Sequence, residues 1–221
     1  RNVIWDAHED YFLQFEPSIN YRSYLPPIFR SVIAVTVLNL LKFVDENAYA
    51  VIAATSTIAA RYSNSRTRIV GNEARIEEFS KAHPNFETKR ILFTGPTTEA
   101  QSFKEVVAAV AAIEGLTLTL VGKQPSPDSW EYGRMMLENR IEYLGWKNRV
   151  QLASVISEST IGLITYNNNP INMTNSPNKL FEFSAAGLPC VVTPTDSNRV
   201  WAAKSGGAVL ANGFNANDLA Q

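Results

Sequence analysis

The chain has 221 residues and a mass of 24.5 kDa, enough for one large domain or two modest ones. Hydrophobic residues make up 45% and charged residues 19%, which excludes global disorder. Twenty basic and 21 acidic side chains give a net charge of −1, so nucleic acid is not an expected partner. The single cysteine, Cys190, excludes an intramolecular disulfide and favours a reducing compartment. With two histidines, a multi-histidine metal site is not expected either.

Both ends of the chain have unusual patterns. Arg1 leads directly into an apolar segment, without the pattern of a secretory leader. Residues 215–221 have the pattern of a helix start, with Asn215 as N-cap and Asp218 as its capping-box partner. We therefore expect a fragment of a longer protein, and a deliberately trimmed chain is the equal alternative.

The most apolar stretch is 28–44, and two prolines precede it as at a helix start. It contains Arg30, Asn39 and Lys42, which are costly in hydrocarbon, so a transmembrane span is not expected. The pattern predicts a helix that is buried in the protein or amphipathic, and the buried form is favoured. A helix at a membrane surface is the less favoured alternative and leaves peripheral membrane association open.

The short apolar run at 50–55 predicts a buried strand followed by a helix that Thr55 or Ser56 could cap. Residues 68–72 predict another short strand that ends in a turn. Residues 73–89 predict a short helix and a linker. The main domain boundary is therefore expected between residues 87 and 88.

The second half alternates regularly between strand and helix patterns, which indicates βαβ units and an α/β fold with a parallel sheet. We expect strands at 90–94, 116–122, 141–145, 160–166, 189–193 and 207–212. We expect helices at 101–113, 129–139, 150–158, 178–186 and 197–204.

Ligands of such sheets bind at the carboxyl ends of the strands, and four predicted ends carry suitable residues. Gly95 and Thr97 follow the strand 90–94, where a glycine would let the chain turn closely beneath a phosphate. Lys123 follows the strand 116–122 and could face an anion. An ordinary turn and a solvated lysine are the alternatives, and no G-x-G-x-x-G supports a dinucleotide site.

The richest candidate is the polar loop 172–182, which runs into a helix. Backbone N–H groups at a helix start donate to anions, and Lys179 would be unfavourable there without one. The Glu182 carboxylate could accept hydrogen bonds from two ribose hydroxyls. The alternative is simple capping by Ser176 or Asn178, with Glu182 on the surface.

The apolar segment 2–5 predicts a first strand, and His8 follows it among the carboxylates of Asp6, Glu9 and Asp10. It could act as a base, as a hydrogen-bond donor or within a charged surface cluster. No G-x-S-x-G elbow supports a nucleophilic triad.

Residues 176–192, SPNKLFEFSAAGLPCVV, resemble the donor-site signature of retaining family-4 glycosyltransferases of the GT-B fold. Weaker segments resemble further parts of that family in the family's order, so the similarity covers nearly the whole chain. These segments are 3–9, 69–72, 91–95, 118–122 and 161–166.

The resemblance implies two Rossmann-like domains with parallel sheets: an incomplete N-terminal domain at 1–87 and a nucleotide-sugar domain at 88–221. It implies His8, Lys179 and Glu182 as catalytic residues, without a metal or cofactor. It implies a donor site formed by Gly95, Thr97, Lys123, Thr174, Ser176, Pro177, Asn178, Lys179, Leu180 and Glu182.

The chain departs from the family at two places. Thr174 stands where the family often has the first glutamate of a Glu-x7-Glu pair, and the turn 95–100 lacks the basic pair that often holds the diphosphate. Ribose binding is therefore better supported than diphosphate binding.

The resemblance implies a cytoplasmic hexosyltransferase of polysaccharide assembly, taking a nucleotide-diphosphate sugar as donor and a glycan or lipid-linked acceptor. We expect these 221 residues alone to be inactive. One alternative is a degenerate nucleotide-binding module that serves as a partner subunit. Another is a related enzyme such as a nucleotide-sugar epimerase.

Overall fold

The structure is a computed structural model that describes residues 2–16 and 26–221. Arg1 and residues 17–25 of the expected N-terminal domain lie outside the described residues. The described chain forms two compact units. The first contains the described residues up to Asn72 together with Met173–Ser176, and the second contains Glu73–Asn172 and Pro177–Gln221.

The first unit has a parallel sheet in the order β1-β2-β3, in which Ile4 pairs with Ala50 and Val51 with Thr67. Its small core contains Ala7, Val51 and Ile58. Thr55 caps the helix after β2 by accepting from the Ile58 N–H, as predicted. The elements are β1 Ile4–Ala7, α1 Tyr11–Gln14, α2 Pro27–Asn47, β2 Ala50–Ala53, α3 Ser56–Ala59 and β3 Thr67–Ile69.

The predicted helix at 28–44 is present as α2, but the prediction that it is buried is wrong. Among the side chains of α2 that the structure describes, those of Ala34, Leu41 and Asp45 are buried, and they form one stripe along the helix. The apolar side chains of α2 are distributed around the whole circumference of the helix, so contacts along one stripe cannot bury them all. Those left exposed include Ile28, Phe29, Val32, Val35, Leu40 and Phe43.

The second unit has a parallel sheet in the order β6-β5-β4-β7-β8-β9. Its strands are β4 Arg90–Thr94, β5 Thr117–Val121, β6 Ile141–Tyr143, β7 Ile161–Ile164, β8 Cys190–Val192 and β9 Ala208–Leu210. Its longer helices are α5 Phe103–Ala111, α6 Pro127–Leu137, α7 Arg149–Ser157, α9 Asn178–Ala185 and α10 Asp196–Ser205. Its shorter ones are α4 Ile76–Phe79, α11 Ala216–Ala220 and a 3₁₀ helix at Glu99–Gln101, and α8 Pro170–Thr174 spans residues of both units.

Two hydrophobic layers cover the six-stranded sheet. Ile91 and Phe93 of β4 contribute to one layer, and Leu92 contributes to the other. Because both faces are buried, the strands are near-continuous apolar runs rather than alternating ones. This burial explains why the sequence predicts all six strands and the longer helices correctly, whereas α1, α8 and the 3₁₀ helix were not predicted.

The predicted boundary between residues 87 and 88 lies inside the second unit. Helix α4 carries Phe79, which is fully buried in the core of that unit beside Ala82. The compact units divide between Asn72 and Glu73 because this short helix packs on α7 and α9.

We predict that Gly162→Ala destabilises the second unit by about 1–3 kcal/mol, the usual effect of overpacking. Gly162 lies in the centre of β7, where an added Cβ would overlap the ring of Phe183 and lie 3.1 Å from Leu188. The midpoint of urea unfolding measures the change. Gly207→Ala is the control, because an added Cβ there meets no atom within 4 Å. Equal midpoints for both variants would contradict the packing argument.

Candidate functional site

A cavity of about 660 Å³ lies at the carboxyl ends of β4 and β5, next to the starts of α7 and α9. This volume is within the range of small-molecule sites, and strand ends of parallel sheets are their usual place. The lining residues are Thr94, Gly95, Pro96, Val121, Gly122, Lys123, Trp146, Lys147, Asn148, Arg149, Leu152, Asn178, Lys179 and Glu182.

Two glycines form the floor where β4 and β5 end. Gly95 has φ +113° and Gly122 has φ +141°, conformations that side chains with a Cβ rarely adopt. A Cβ on Gly122 would lie 2.9 Å from the Gly95 carbonyl oxygen. The two turns can therefore touch only because both residues are glycine.

Helix α9 begins at the cavity without a capping side chain. Pro177 is its N-cap residue, and among the described residues no side chain accepts a hydrogen bond at this end. The predicted alternative of capping by Ser176 or Asn178 is therefore wrong, since the proline occupies the cap position. The first N–H groups of α9 stay available to an acceptor at the cavity.

Lys179 lies in the first turn of α9 with its ammonium group enclosed. Nζ donates to Oε1 of Gln101 at 2.6 Å and lies 5.3 Å and 5.8 Å from the ring centres of Phe93 and Tyr166. Burial lowers the pKa of Lys179 to about 8, although the charge of Glu182 acts in the opposite direction.

Glu182 lies one turn further along α9, is partly buried and lines the cavity. Burial raises the pKa of this carboxyl group, and the positive charges of Arg149 and Lys179 partly oppose the shift. Arg149 also pairs with Glu78 at 2.8 Å. The cavity thus holds a carboxylate and an ammonium group that are both poorly solvated.

Five of the predicted donor-site residues line this cavity: Gly95, Lys123, Asn178, Lys179 and Glu182. They come together because their strand ends and the start of α9 lie on the same side of the sheet.

The remaining predicted residues lie elsewhere. The side chain of Leu180 is buried in the core and its N–H donates to the Pro177 carbonyl, so its predicted contact with the donor stays a prediction. Thr97 is buried at a smaller neighbouring cavity, where its carbonyl accepts from Ser129. Thr174 and Ser176 belong to the first unit.

His8 also belongs to the first unit, where its Nδ1 lies 3.3 Å from an oxygen of Asp6. Both side chains are exposed. Within residues 2–16 and 26–221, no group of three acidic, histidine or cysteine side chains could hold a metal ion. None of the helices described is both long enough and apolar enough to cross a bilayer.

Sequence reasoning missed the segment 146–149 and Gln101. Trp146 is 74% exposed, and Lys147 and Arg149 add positive charge at the cavity. The available signal was the position of this segment after the predicted strand at 141–145, which is a third carboxyl end. Gln101 carried no such signal, because only its contact with Lys179 places it at the site.

The comparisons with known proteins agree with this architecture. A family model described as glycosyl transferases group 1 matches residues 88–221. No protein of curated function matches the chain in sequence.

Solved structures similar to this chain include the following. Sucrose-phosphate synthase from Thermosynechococcus elongatus has a TM-score of 0.71 at 19% identity, over 98% of this chain and 56% of that one. Anabaena HepE, solved in complex with UDP-glucose, has a TM-score of 0.71 at 14% identity, over 100% of this chain and 61% of that one. WaaG, a glycosyltransferase involved in lipopolysaccharide biosynthesis, has a TM-score of 0.74 at 14% identity, over 98% of this chain and 63% of that one.

The chain thus spans about six-tenths of the length of these structures. Its fold is that of GT-B glycosyltransferases, with parallel α/β sheets, as predicted from the sequence.

We predict that Lys179→Met stabilises the protein at pH 7 by about 1–3 kcal/mol, since each pH unit of lowered pKa represents about 1.4 kcal/mol. The pKa of Lys179 is about 8 in the folded chain and has its ordinary value of 10.5 in the unfolded chain. The unfolded chain therefore binds more protons between these values, and wild-type stability rises with pH across that window.

The stabilising effect of Lys179→Met should therefore be largest below pH 8 and vanish near pH 10.5. Urea unfolding at several pH values measures it. Lys81→Met, at an exposed site, is the control and should show no such pH dependence. A variant that is less stable than the wild type at pH 7 would show that the fold favours the buried ammonium.

Proposed function

We propose, since this chain belongs to the glycosyl transferases of group 1, that its second unit binds a nucleotide-diphosphate sugar and that the whole protein transfers the sugar to an acceptor. The observation that carries the proposal is the arrangement of Lys179 and Glu182, one turn apart on an uncapped helix, at a cavity above two glycine turns.

The diphosphate would bind at the start of α9. Free N–H groups and the helix dipole favour an anion there, and the Lys179 ammonium supplies a full charge. Lys123, Lys147 and Arg149 line the same cavity and offset the charge of a diphosphate. The positive charge thus comes from several strand ends.

The ribose would bind at Glu182. An ionised carboxylate accepts hydrogen bonds from two neighbouring hydroxyl groups, and partial burial strengthens such bonds. The exposed indole of Trp146 at the cavity offers a flat surface on which a nucleobase can stack. The complex of HepE with UDP-glucose supports a nucleotide sugar as the ligand of this fold.

Transfer builds negative charge on the departing diphosphate and positive charge on the sugar. Preformed N–H donors and Lys179 would stabilise the leaving group electrostatically, so the chemistry requires no metal. Retention of configuration and a contact of His8 with the sugar remain proposals that come from the family resemblance. So do a hexose donor, a glycan or lipid-linked acceptor, a role in polysaccharide assembly, and a cytoplasmic location with peripheral association at the membrane.

One observation favours a second candidate function, a nucleotide-binding module without transfer activity. The turn at Gly95 and Pro96 carries no arginine or lysine, so the diphosphate has fewer cations than in typical members of the family. Such a module would bind donor and release it unchanged.

A screen of UDP-, GDP- and ADP-sugars separates the two functions. Calorimetry measures binding, and release of the free nucleotide diphosphate measures donor hydrolysis or transfer. Because GT-B chemistry needs a closed cleft between two domains, we expect this chain to bind donor without robust transfer. Turnover by the longer protein would establish the enzyme, and binding without turnover in both forms would establish the module.

We predict that Glu182→Ala weakens binding of the best of UDP, GDP and ADP by about 1–3 kcal/mol, the usual loss for charge-assisted hydrogen bonds. Isothermal calorimetry at pH 7 measures the change. Glu131→Ala is the matched control, because Glu131 is exposed on α6 and does not line the cavity. Equal affinities for wild type and Glu182→Ala would remove the ribose assignment.

A further inference from the structure

We propose that Gln101 is a positioning residue that fixes the Lys179 ammonium at the floor of the cavity and keeps it charged for a diphosphate. The inference rests on the proposed function for its diphosphate part and on geometry alone for the rest. The central contact is the hydrogen bond of 2.6 Å from Lys179 Nζ to Gln101 Oε1.

The backbone around Gln101 is held in place from the neighbouring strand. The Thr165 hydroxyl, directly after β7, donates to the Gln101 carbonyl at 2.7 Å, and Asn172 Nδ2 donates to the Ala100 carbonyl at 2.8 Å. Thr165 and Asn172 are both buried. The amide of Gln101 therefore projects from a fixed turn and can hold the end of a flexible lysine.

Space for this pair depends on Gly95. A Cβ at Gly95 would lie 3.0 Å from Lys179 Nζ and 3.3 Å from Gln101 Oε1. The glycine of the β4 turn thus makes room for the amide and the ammonium group together. The same residue permits the turn itself, so a single glycine serves both the backbone and this pair.

An amide suits this position better than an acid or an apolar side chain. Its oxygen accepts a hydrogen bond from the ammonium without neutralising the charge that a phosphate would meet. A carboxylate would form an ion pair with Lys179 and repel the diphosphate. An apolar side chain would leave the buried ammonium without this acceptor, and the neutral amine would be favoured.

The groups that face Lys179 do not replace this contact. Glu182 raises the pKa of Lys179, but burial outweighs that effect. The pKa of Tyr166 is raised to about 12 by burial, so its phenol stays neutral and contributes only its ring. The other charged side chains that line the cavity are donors and cannot accept a hydrogen bond from the ammonium: Lys123, Lys147 and Arg149.

The test compares wild type, Gln101→Met and Gln101→Glu in two measurements. NMR of the lysine ε-methylene groups follows the titration of Lys179 without nucleotide, and Lys179→Met assigns its signal. Calorimetry follows affinity for UDP, with GDP and ADP in parallel, between pH 6 and pH 9.5. Thermal unfolding confirms that each variant is folded.

The Lys179 midpoint should move down in Gln101→Met and up in Gln101→Glu. Affinity of Gln101→Met for the nucleotide should be about tenfold weaker at pH 7.5, the loss expected for one hydrogen bond to a charged group. Gln101→Glu keeps the size and polarity of the side chain, so it tests the proposal even where Gln101→Met fails to fold.

Identical Lys179 titrations in the wild type and in the folded variants would overturn the positioning role. Shifted titrations with no nucleotide binding in any form would support the positioning of Lys179 and overturn the proposed donor site. Shifted titrations with unchanged affinity would overturn the link between the two.

Discussion

Strand β4 pairs in parallel with β5 on one side and β7 on the other, and the arrangement of the site follows from this pairing. Phe93 of β4 pairs with Leu120 of β5 and with Leu163 of β7. The three strands therefore end side by side at the same edge of the sheet. The Gly95 N–H donates to the Val121 carbonyl, which ties the turn after β4 to the end of β5. A shift in register would separate the glycine floor from the residues after β7 that hold Gln101.

The start of α9 combines features that are unfavourable for folding alone. A helix N-terminus attracts anions, yet this one carries a lysine in its first turn and no side-chain cap among the described residues. The ammonium group of this lysine is also buried, and burial lowers its pKa and so disfavours the charged form. Asn148 and Asn215 cap their helices with capping boxes, whereas α2, α4 and α5 also begin without a side-chain cap in the part of the chain that the structure describes. What distinguishes α9 is that its first-turn lysine is enclosed at the cavity, where a bound anion would offset the charge and accept from the free N–H groups.

Local sequence patterns were sufficient to predict the strands of the sheet, but they did not predict which faces of the helices are exposed. Buried parallel strands such as β4 and β5 have apolar runs that the chain shows directly, so their order along the sequence was predictable. The exposure of α2 was not, because a helix that is apolar all round does not indicate which side finds a partner. The contact between Gln101 and Lys179 joins residues 78 positions apart, and only the folded sheet brings them together.

The charge of the cavity bears on whether an enzyme or a binding module is favoured. The turn after β4 has no cation, and Gln101 there offers an oxygen instead. The positive charge lies on other elements: Lys123 after β5, and Lys147 and Arg149 after β6. Stabilisation of a leaving diphosphate depends on the field at its oxygen atoms and not on which turn supplies it. Because these cations line one cavity with Lys179, the missing basic pair is not in itself an argument against the transferase that we propose.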